Sequence, residues 1–467
     1  VSDLAVLDQR PEPGPPRSYD FPDFERSHLP NGLEVIRAHV PGRPLLQAQL
    51  VVRGDSGGGA TSEAVDLAGV TVLTARAMSE GTARRDAVAF VEAAERLGAS
   101  LGATAGWDSM AVHVEVPRAR LAPALALLAE MALQPSLPAR EVERLREERL
   151  NDLKQTMADA RRRVERLFPG VIYAEGAPYA RLLGGSESTV AALDREALAA
   201  RHAEQLRPSA STLIVCGDLD GVPVDDIVAE AFLGWTSDGA EAAAQSAPDR
   251  PAPGRRVVLV DRPGAPQSEI RIGHVGTARR IDDYHALVVM NALLGGLFNS
   301  RLNRLLREER GYTYGVQCDF DMRRGAGPFA VRCAVETEAT APAIADIVAE
   351  LSRIREAEVA DEELVAARDY LVGVFPLRFE GSAQVAAALA GLVIHGLPAD
   401  ELDRYRPTVS AVSAEAVLEA ARSHLDPARA SIAVVGDVAR FEAPLRDAGY
   451  GEFEVIRDEG FGDGGRG

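Results

Sequence analysis

An α+β fold of two homologous halves, each a largely antiparallel sheet with helices packed on one face, is what this sequence predicts. Three observations carry the prediction. Segments recur in the same order at a nearly constant offset; strand and helix periodicities succeed one another in the same sequence within each half; and a stretch rich in Ala, Pro, Ser, Gly and Asp separates the two.

Each half opens with a strand, a tight turn and a second strand. Pro41-Gly42-Arg43-Pro44 recurs as Pro263-Gly264-Ala265-Pro266, 222 positions on. Strand-like runs flank both turns, at 33–38 and 46–53 in the first half and at 256–260 and 268–273 in the second. Residues 110–116 then alternate with the two-residue period of a half-buried strand. Residues 121–131 place apolar side chains at helical spacing. The acidic helical stretch 139–150 has its counterpart at 361–370. Each half closes on a strand, Ser211-Thr212-Leu213-Ile214-Val215-Cys216-Gly217-Asp218 matching Ala430-Ser431-Ile432-Ala433-Val434-Val435-Gly436-Asp437, its glycines 219 positions apart. Two such halves facing each other would enclose a cleft. The expected organisation is a flexible N-terminus (1–20), a first domain (21–236), a linker (237–254), a second domain (255–457) and a flexible tail (458–467).

Composition narrows the partners. The 467 residues carry 51 basic and 70 acidic side chains, a net charge of −19, which argues against nucleic acid or an anionic membrane as partner. Hydrophobic residues make up 46%, ample for two cores, and no apolar run approaches the roughly 18–20 residues that span a bilayer. A soluble protein is expected. The chain opens at Val1 without a signal-like stretch; a cleaved leader leaves no trace, so cytoplasm and periplasm both stay open. Cys216, Cys318 and Cys333 are an odd, widely spaced set in apolar strand-like text, read as buried thiols.

Leu29-Pro30-Asn31-Gly32-Leu33-Glu34-Val35 resembles the opening strand of insulinase/pitrilysin-type zinc peptidases, the group that includes mitochondrial processing peptidase. A longer match begins at Leu294-Gly295-Gly296, passes through Ser300-Arg301-Leu302 and Leu306-Arg307, and ends on Arg310-Gly311-Tyr312-Thr313-Tyr314. It is similar to the signature of that family's second half. The resemblance implies that the two halves together form one half of a clamshell.

The resemblance also locates a loss. Active members carry His-x-x-Glu-His on the first helix, two His one turn apart to grip zinc and a Glu as general base. The corresponding frame here runs from Gly69 to Gly81-Thr82 without a gap, and puts Val72, Ala75 and Arg76 at the three functional positions. Val and Ala have no ligand atom, and Arg is a cation. Glu147 and Glu148 fall where the family's distal ligand is expected; without the His pair they read as a solvated helix face. The eight His, at 28, 39, 113, 202, 274, 285, 395 and 424, include no pair three or four residues apart. No metal is therefore expected on this chain.

The resemblance further implies that an Arg and a Tyr seven residues apart in the second half face the zinc across the cleft. By motif these are Arg307 and Tyr314. A phenol O–H can stabilise the charge that grows on a carbonyl oxygen during amide cleavage, and a guanidinium can hold substrate carbonyls. From the residues alone, Arg307 is also a cation near a helix end that Gly311 terminates, and Tyr314 is in phase with Val316, Cys318 and Phe320 on a core face. Tyr312 competes for Tyr314's role. Gly54-Asp55-Ser56-Gly57-Gly58-Gly59 lacks the Lys-Ser/Thr of a phosphate loop and reads as a turn. Leu101-Gly102-Ala103-Thr104 matches the family's substrate-pairing edge strand loosely, with Gly102 where Asn is common.

The expectation is a zinc-less subunit of a heterodimeric zinc metallopeptidase. It would bind peptide, pair with a homologous zinc-binding chain, and supply Arg307 and Tyr314 to that chain's site. The rivals are an inert scaffold descended from a peptidase and a homodimeric peptide-binding protein.

Overall fold

The structure, a computed structural model, describes residues 14, 17–54, 57–236 and 249–457. Most of the expected flexible N-terminus, residues 237–248 of the linker and the 458–467 tail lie outside the described residues. Two six-stranded sheets form, one per half. The first is built from β1 (Phe24–His28), β2 (Glu34–His39), β3 (Leu45–Arg53), β4 (Ser100–Ala105), β5 (Ser109–Pro117) and β6 (Ser211–Gly217), in the order β1-β2-β6-β3-β5-β4. The second is built from β7 (Arg256–Asp261), β8 (Gln267–Val275), β9 (Val316–Phe320), β10 (Pro328–Glu336), β11 (Ser431–Gly436) and β12 (Glu452–Arg457), in the order β12-β7-β11-β8-β10-β9. Five strands correspond one to one. The sixth position, at the same edge of both sheets, is filled once by the first strand of the chain and once by the last. All pairings are antiparallel except β2–β6, β7–β11 and β7–β12.

Strand alternation decides which core each residue joins. Val35, Leu50, Leu213 and Val215 face the helices of their own half, among them Leu121–Leu133 and Val224–Phe232. Their neighbours Ile36, Val51, Ile214 and Cys216 face the opposite way, onto a helix from the second half, Ser382–His395, through Val385, Leu389 and Val393. The exchange is reciprocal. Helix Ala160–Ile172 of the first half lays Val164, Phe168 and Val171 against Val258, Val260, Ala433 and Val435 of the second sheet. Each half thus keeps its own helices over one face, and lends one helix to the other half's opposite face.

The β9–β10 loop adds a polar lock between the halves. Arg324 N–H donates to Asp108 Oδ2 at 2.9 Å, Tyr173 O–H to Ala326 O at 2.9 Å, and Ala326 N–H to Asp249 Oδ2 at 2.8 Å. Arg323 lies over the rings of Trp107 and Tyr179. Residues 249–254 of the expected linker are tied down here too, Pro251 bridging to Tyr173.

His395 closes the exchanged helix beside this lock, where Arg324 Nη1 donates to Ile394 O at 2.8 Å. Burial, aided by the Arg279 and Arg324 guanidiniums, pushes its imidazole down to about 4. A neutral native His and an unfolded His that protonates near 6.5 give stability that is complete above that value and lost as pH falls toward 4. Denaturant titrations should therefore show on the order of 1–3 kcal/mol lost over that window, with His395→Leu flattening it. An unchanged pH dependence in that variant would rule out His395 as the source.

Candidate functional site

The stretch that aligns with the zinc motif forms helix Val70–Ala77. It is entered through Gly69 at φ 98°, where a Cβ would lie 2.8 Å from the carbonyl of Gly184. The buried carboxylate of Glu63 caps it, accepting from Gly69 N–H at 3.0 Å and Thr71 N–H at 2.7 Å. Burial raises the Glu63 pKa, opposed by those two bonds and by Arg201. Arg201, itself buried, donates to Thr71 Oγ1 at 3.0 Å and to the carbonyls of Gly57 and Gly59 at 3.1 and 2.9 Å. The glycine-rich turn thus offers its carbonyls to a cation, the opposite of a phosphate loop; Asp55 and Ser56 lie outside the described residues.

On this helix Ala75 is buried in the first core, Val72 is half-buried and Arg76 is exposed. Arg76 Nη2 donates to Glu148 Oε2 at 2.9 Å. Glu148 also accepts from Arg144, which reaches Glu80 and Glu141 at 2.7 Å each. Arg144 first, then Arg76, holds the Glu148 carboxyl below its usual range. Guanidiniums therefore already satisfy Glu148, one of the two carboxylates expected near the distal ligand position; the other, Glu147, is exposed. Val72, Ala75 and Arg76 offer no donor atom for zinc, and this set does not fit the metal. Among the described residues, His39, Asp218 and Asp220 bring ligand atoms within 4.8 Å of one another. But His39 Nδ1 accepts Leu219 N–H at 3.2 Å and Asp218 pairs with Arg118 at 2.9 Å, so two of the three already have protein partners.

The second-half motif has a different character. Helix Tyr284–Asn291 passes into a π-turn at Ala292–Gly296, and Arg301–Asn303 into another at Arg304–Glu309. Such turns are rare and concentrate at functional sites. Gly295 permits the first to touch β9, since a Cβ there would sit 2.7 Å from Cys318 Sγ. Asn303 joins the second to β9: its Nδ2 donates to Leu297 O at 3.1 Å and Val316 O at 2.8 Å, and its Oδ1 accepts Val316 N–H at 3.0 Å. Arg301 pairs with both carboxylate oxygens of Glu363, anchoring the segment to helix Asp361–Val374.

On this base stand Arg307 and Tyr314. The Arg307 guanidinium lies 4.2 Å from the centroid of Phe298, which is 66% exposed. Tyr314 is 96% exposed. The period-two extrapolation that places Tyr314 on a core face fails because β9 begins at Val316. A Thr313 turn, with Oγ1 accepting Gly315 N–H at 3.2 Å, breaks the phase. Tyr312 instead packs against the second core and donates its N–H to Leu306 O at 2.9 Å. Phe298 lies inside the motif yet has no role in the sequence reading; an aromatic between Gly-Gly-Leu and Ser-Arg-Leu was the available signal. Cys318 and Cys333 are free and buried, two positions out of direct register across β9 and β10. Burial pushes the thiols of Cys216 and Cys333 up to about 12.

Comparison with known proteins gives a consistent picture. A model of the insulinase peptidases (family M16) matches residues 48–178, and one described as the peptidase M16 inactive domain matches 192–371. An uncharacterized zinc protease of Mycobacterium tuberculosis is 24% identical over 416 residues, covering 88% of this chain and 92% of its own. One of Streptomyces coelicolor is 23% identical over 434 residues, covering 90% of each. Among solved structures, a peptidase M16 inactive domain from Pseudomonas fluorescens superposes with a TM-score of 0.81 at 23% identity, over 89% of this chain and 98% of that one. A protease from Helicobacter pylori gives 0.80 at 17%, over 89% and 100%.

Proposed function

This chain belongs to the insulinase family of peptidases, and we propose that within it the chain works as the zinc-less subunit of a two-chain zinc endopeptidase. It would bind the peptide substrate and present Arg307 and Tyr314 to the site of a homologous His-x-x-Glu-His partner. Zinc would be held, and its Lewis acidity supplied, by that partner.

The observation that carries this reading is the setting of Tyr314. An almost fully exposed phenol stands on a loop whose base is pinned by Asn303, and on the turn before it a guanidinium lies over an aromatic ring. Neither group serves the core. Amide cleavage builds negative charge on the carbonyl oxygen, and a phenol O–H donating there lowers the barrier. A guanidinium donates to the neighbouring backbone carbonyls and fixes their position. On the other half, the Arg76–Glu148 pair supports a chain that has no use for a metal.

The test is reconstitution. The chain should be inert alone, should co-elute as a heterodimer with a His-x-x-Glu-His homologue encoded beside it, and should allow the mixture to cleave a quenched fluorescent peptide. Chelator-sensitive hydrolysis by the isolated chain, or a homologue fully active without it, would refute the assignment.

A further inference from the structure

Beside the loop that carries Tyr314, the second half holds a groove of about 480 Å³. Arg161, Arg271, Arg332 and the carboxylate Glu269 line it, with Glu165 and Asp319 against Arg271 and Arg332. Phe298, under Arg307, and Gly315, next to Tyr314, also line it, so the groove and the Arg–Tyr pair are contiguous.

Two of the three guanidiniums are built into the fold. Arg271 is 2% exposed; its Nε donates to Glu165 Oε1 at 2.9 Å, its Nη1 donates to Ile270 O at 2.7 Å, and Glu269 lies 3.3 Å away. Arg332 pairs with Asp319 and lies 3.7 Å from the same Glu165 oxygen. Arg161 differs. It comes from the first half, on the exchanged helix Ala160–Ile172, is exposed, and has no carboxylate partner among the described residues. Burial, and after it the charges of Arg271 and Arg161, push the Arg332 pKa down. Arg161 therefore adds repulsion to the cluster, and its removal would strand no carboxylate. Its charge is available to a ligand.

We infer that this groove seats an acidic side chain of the peptide, so that the chain selects substrates with Asp or Glu flanking the cleavage site. The inference rests on the reading that the Arg307–Tyr314 loop meets a peptide. A carboxylate–guanidinium contact is charge-assisted, and Arg161 can form one without breaking a pair already present among the described residues. The net charge of −19 opposes acidic peptides at long range. The preference is therefore best read near 0.15 M salt, where the screening length is about 8 Å.

The test uses the full chain and fluorescein-labelled, C-terminally amidated peptides of Ala and Ser with a central Asp-Asp, Asn-Asn or Lys-Lys pair. Amidation removes the terminal carboxylate as a rival ligand. In fluorescence anisotropy the Asp peptide should bind about tenfold more tightly than the Asn peptide, and the Lys peptide more weakly than both. Arg161→Glu should abolish the preference; Arg120→Glu, the same charge change at an exposed site outside the groove, should retain it. Equal affinities for the Asp and Asn peptides, or equal losses in the two variants, would overturn the groove assignment and leave peptide binding standing. Failure of every peptide to bind would remove the underlying reading as well.

Discussion

Tyr314→Phe is expected to lower kcat of the reconstituted two-chain peptidase by about 10²–10³, with KM nearly unchanged. The substitution removes one O–H and keeps the ring. Because the ring is 96% exposed and makes no core contact, the fold has nothing to lose. A donor that meets charge only as it develops changes kcat; one that holds the ground state changes KM. Arg307→Ala should divide differently. It frees the face of Phe298 and removes a group that would hold substrate carbonyls, so KM should rise along with any fall in kcat. Arg307→Lys keeps the charge but loses the planar fork, and should recover only part of the loss. Melting curves and complex formation should match the parent for all three variants. If Tyr314→Phe turns over at the parent rate in an intact complex, the phenol has no part in the reaction, and the scaffold reading gains the ground.

The fold was legible where local chemistry sufficed. The Pro-Gly-x-Pro turns, the alternating runs around them and the two closing strands foretold β2, β3, β6 and their counterparts β7, β8, β11 to within a residue or two. So was the loss of the zinc set, because Val72, Ala75 and Arg76 sit in a frame that Gly69 and Gly81 hold fixed. What the sequence could not express is which surface a helix meets. Val164, Phe168 and Val171 make an apolar stripe that would suit either sheet; only the assembled chain puts it on the far one. Arg76 and Glu148 are 72 positions apart, and no spacing rule couples an arginine to a particular glutamate across that distance. Period two alone would put Tyr314 on a core face, but it holds only inside a strand, and Gly315 stands just outside it.

The exchanged helices set up the second large effect. Leu389→Ala should cost about 2–5 kcal/mol, since Leu389 is fully buried between helix Ser382–His395 and the first sheet. The size alone is ordinary for a core leucine. The location of the damage is the informative part. Leu389 belongs to the second half by sequence, yet its contacts are with Ile36, Val51 and Ile214 of the first. Hydrogen exchange should therefore quicken in β2, β3 and β6 before it does in β7 and β8. Phe168→Ala, on the reciprocal helix, should show the mirror result, with β7 and β11 exposed first. Two domains joined by a linker would confine each lesion to its own half. Two halves that cover each other's sheets must fail across the boundary and should unfold as one cooperative unit. The same interlock bears on function. In the proposed two-chain enzyme, halves that cannot part without opening both cores would leave the cleft for an unfolded peptide to open between the two chains rather than within this one. That motion would carry Arg307, Tyr314 and their rigid base toward and away from the partner as a single body.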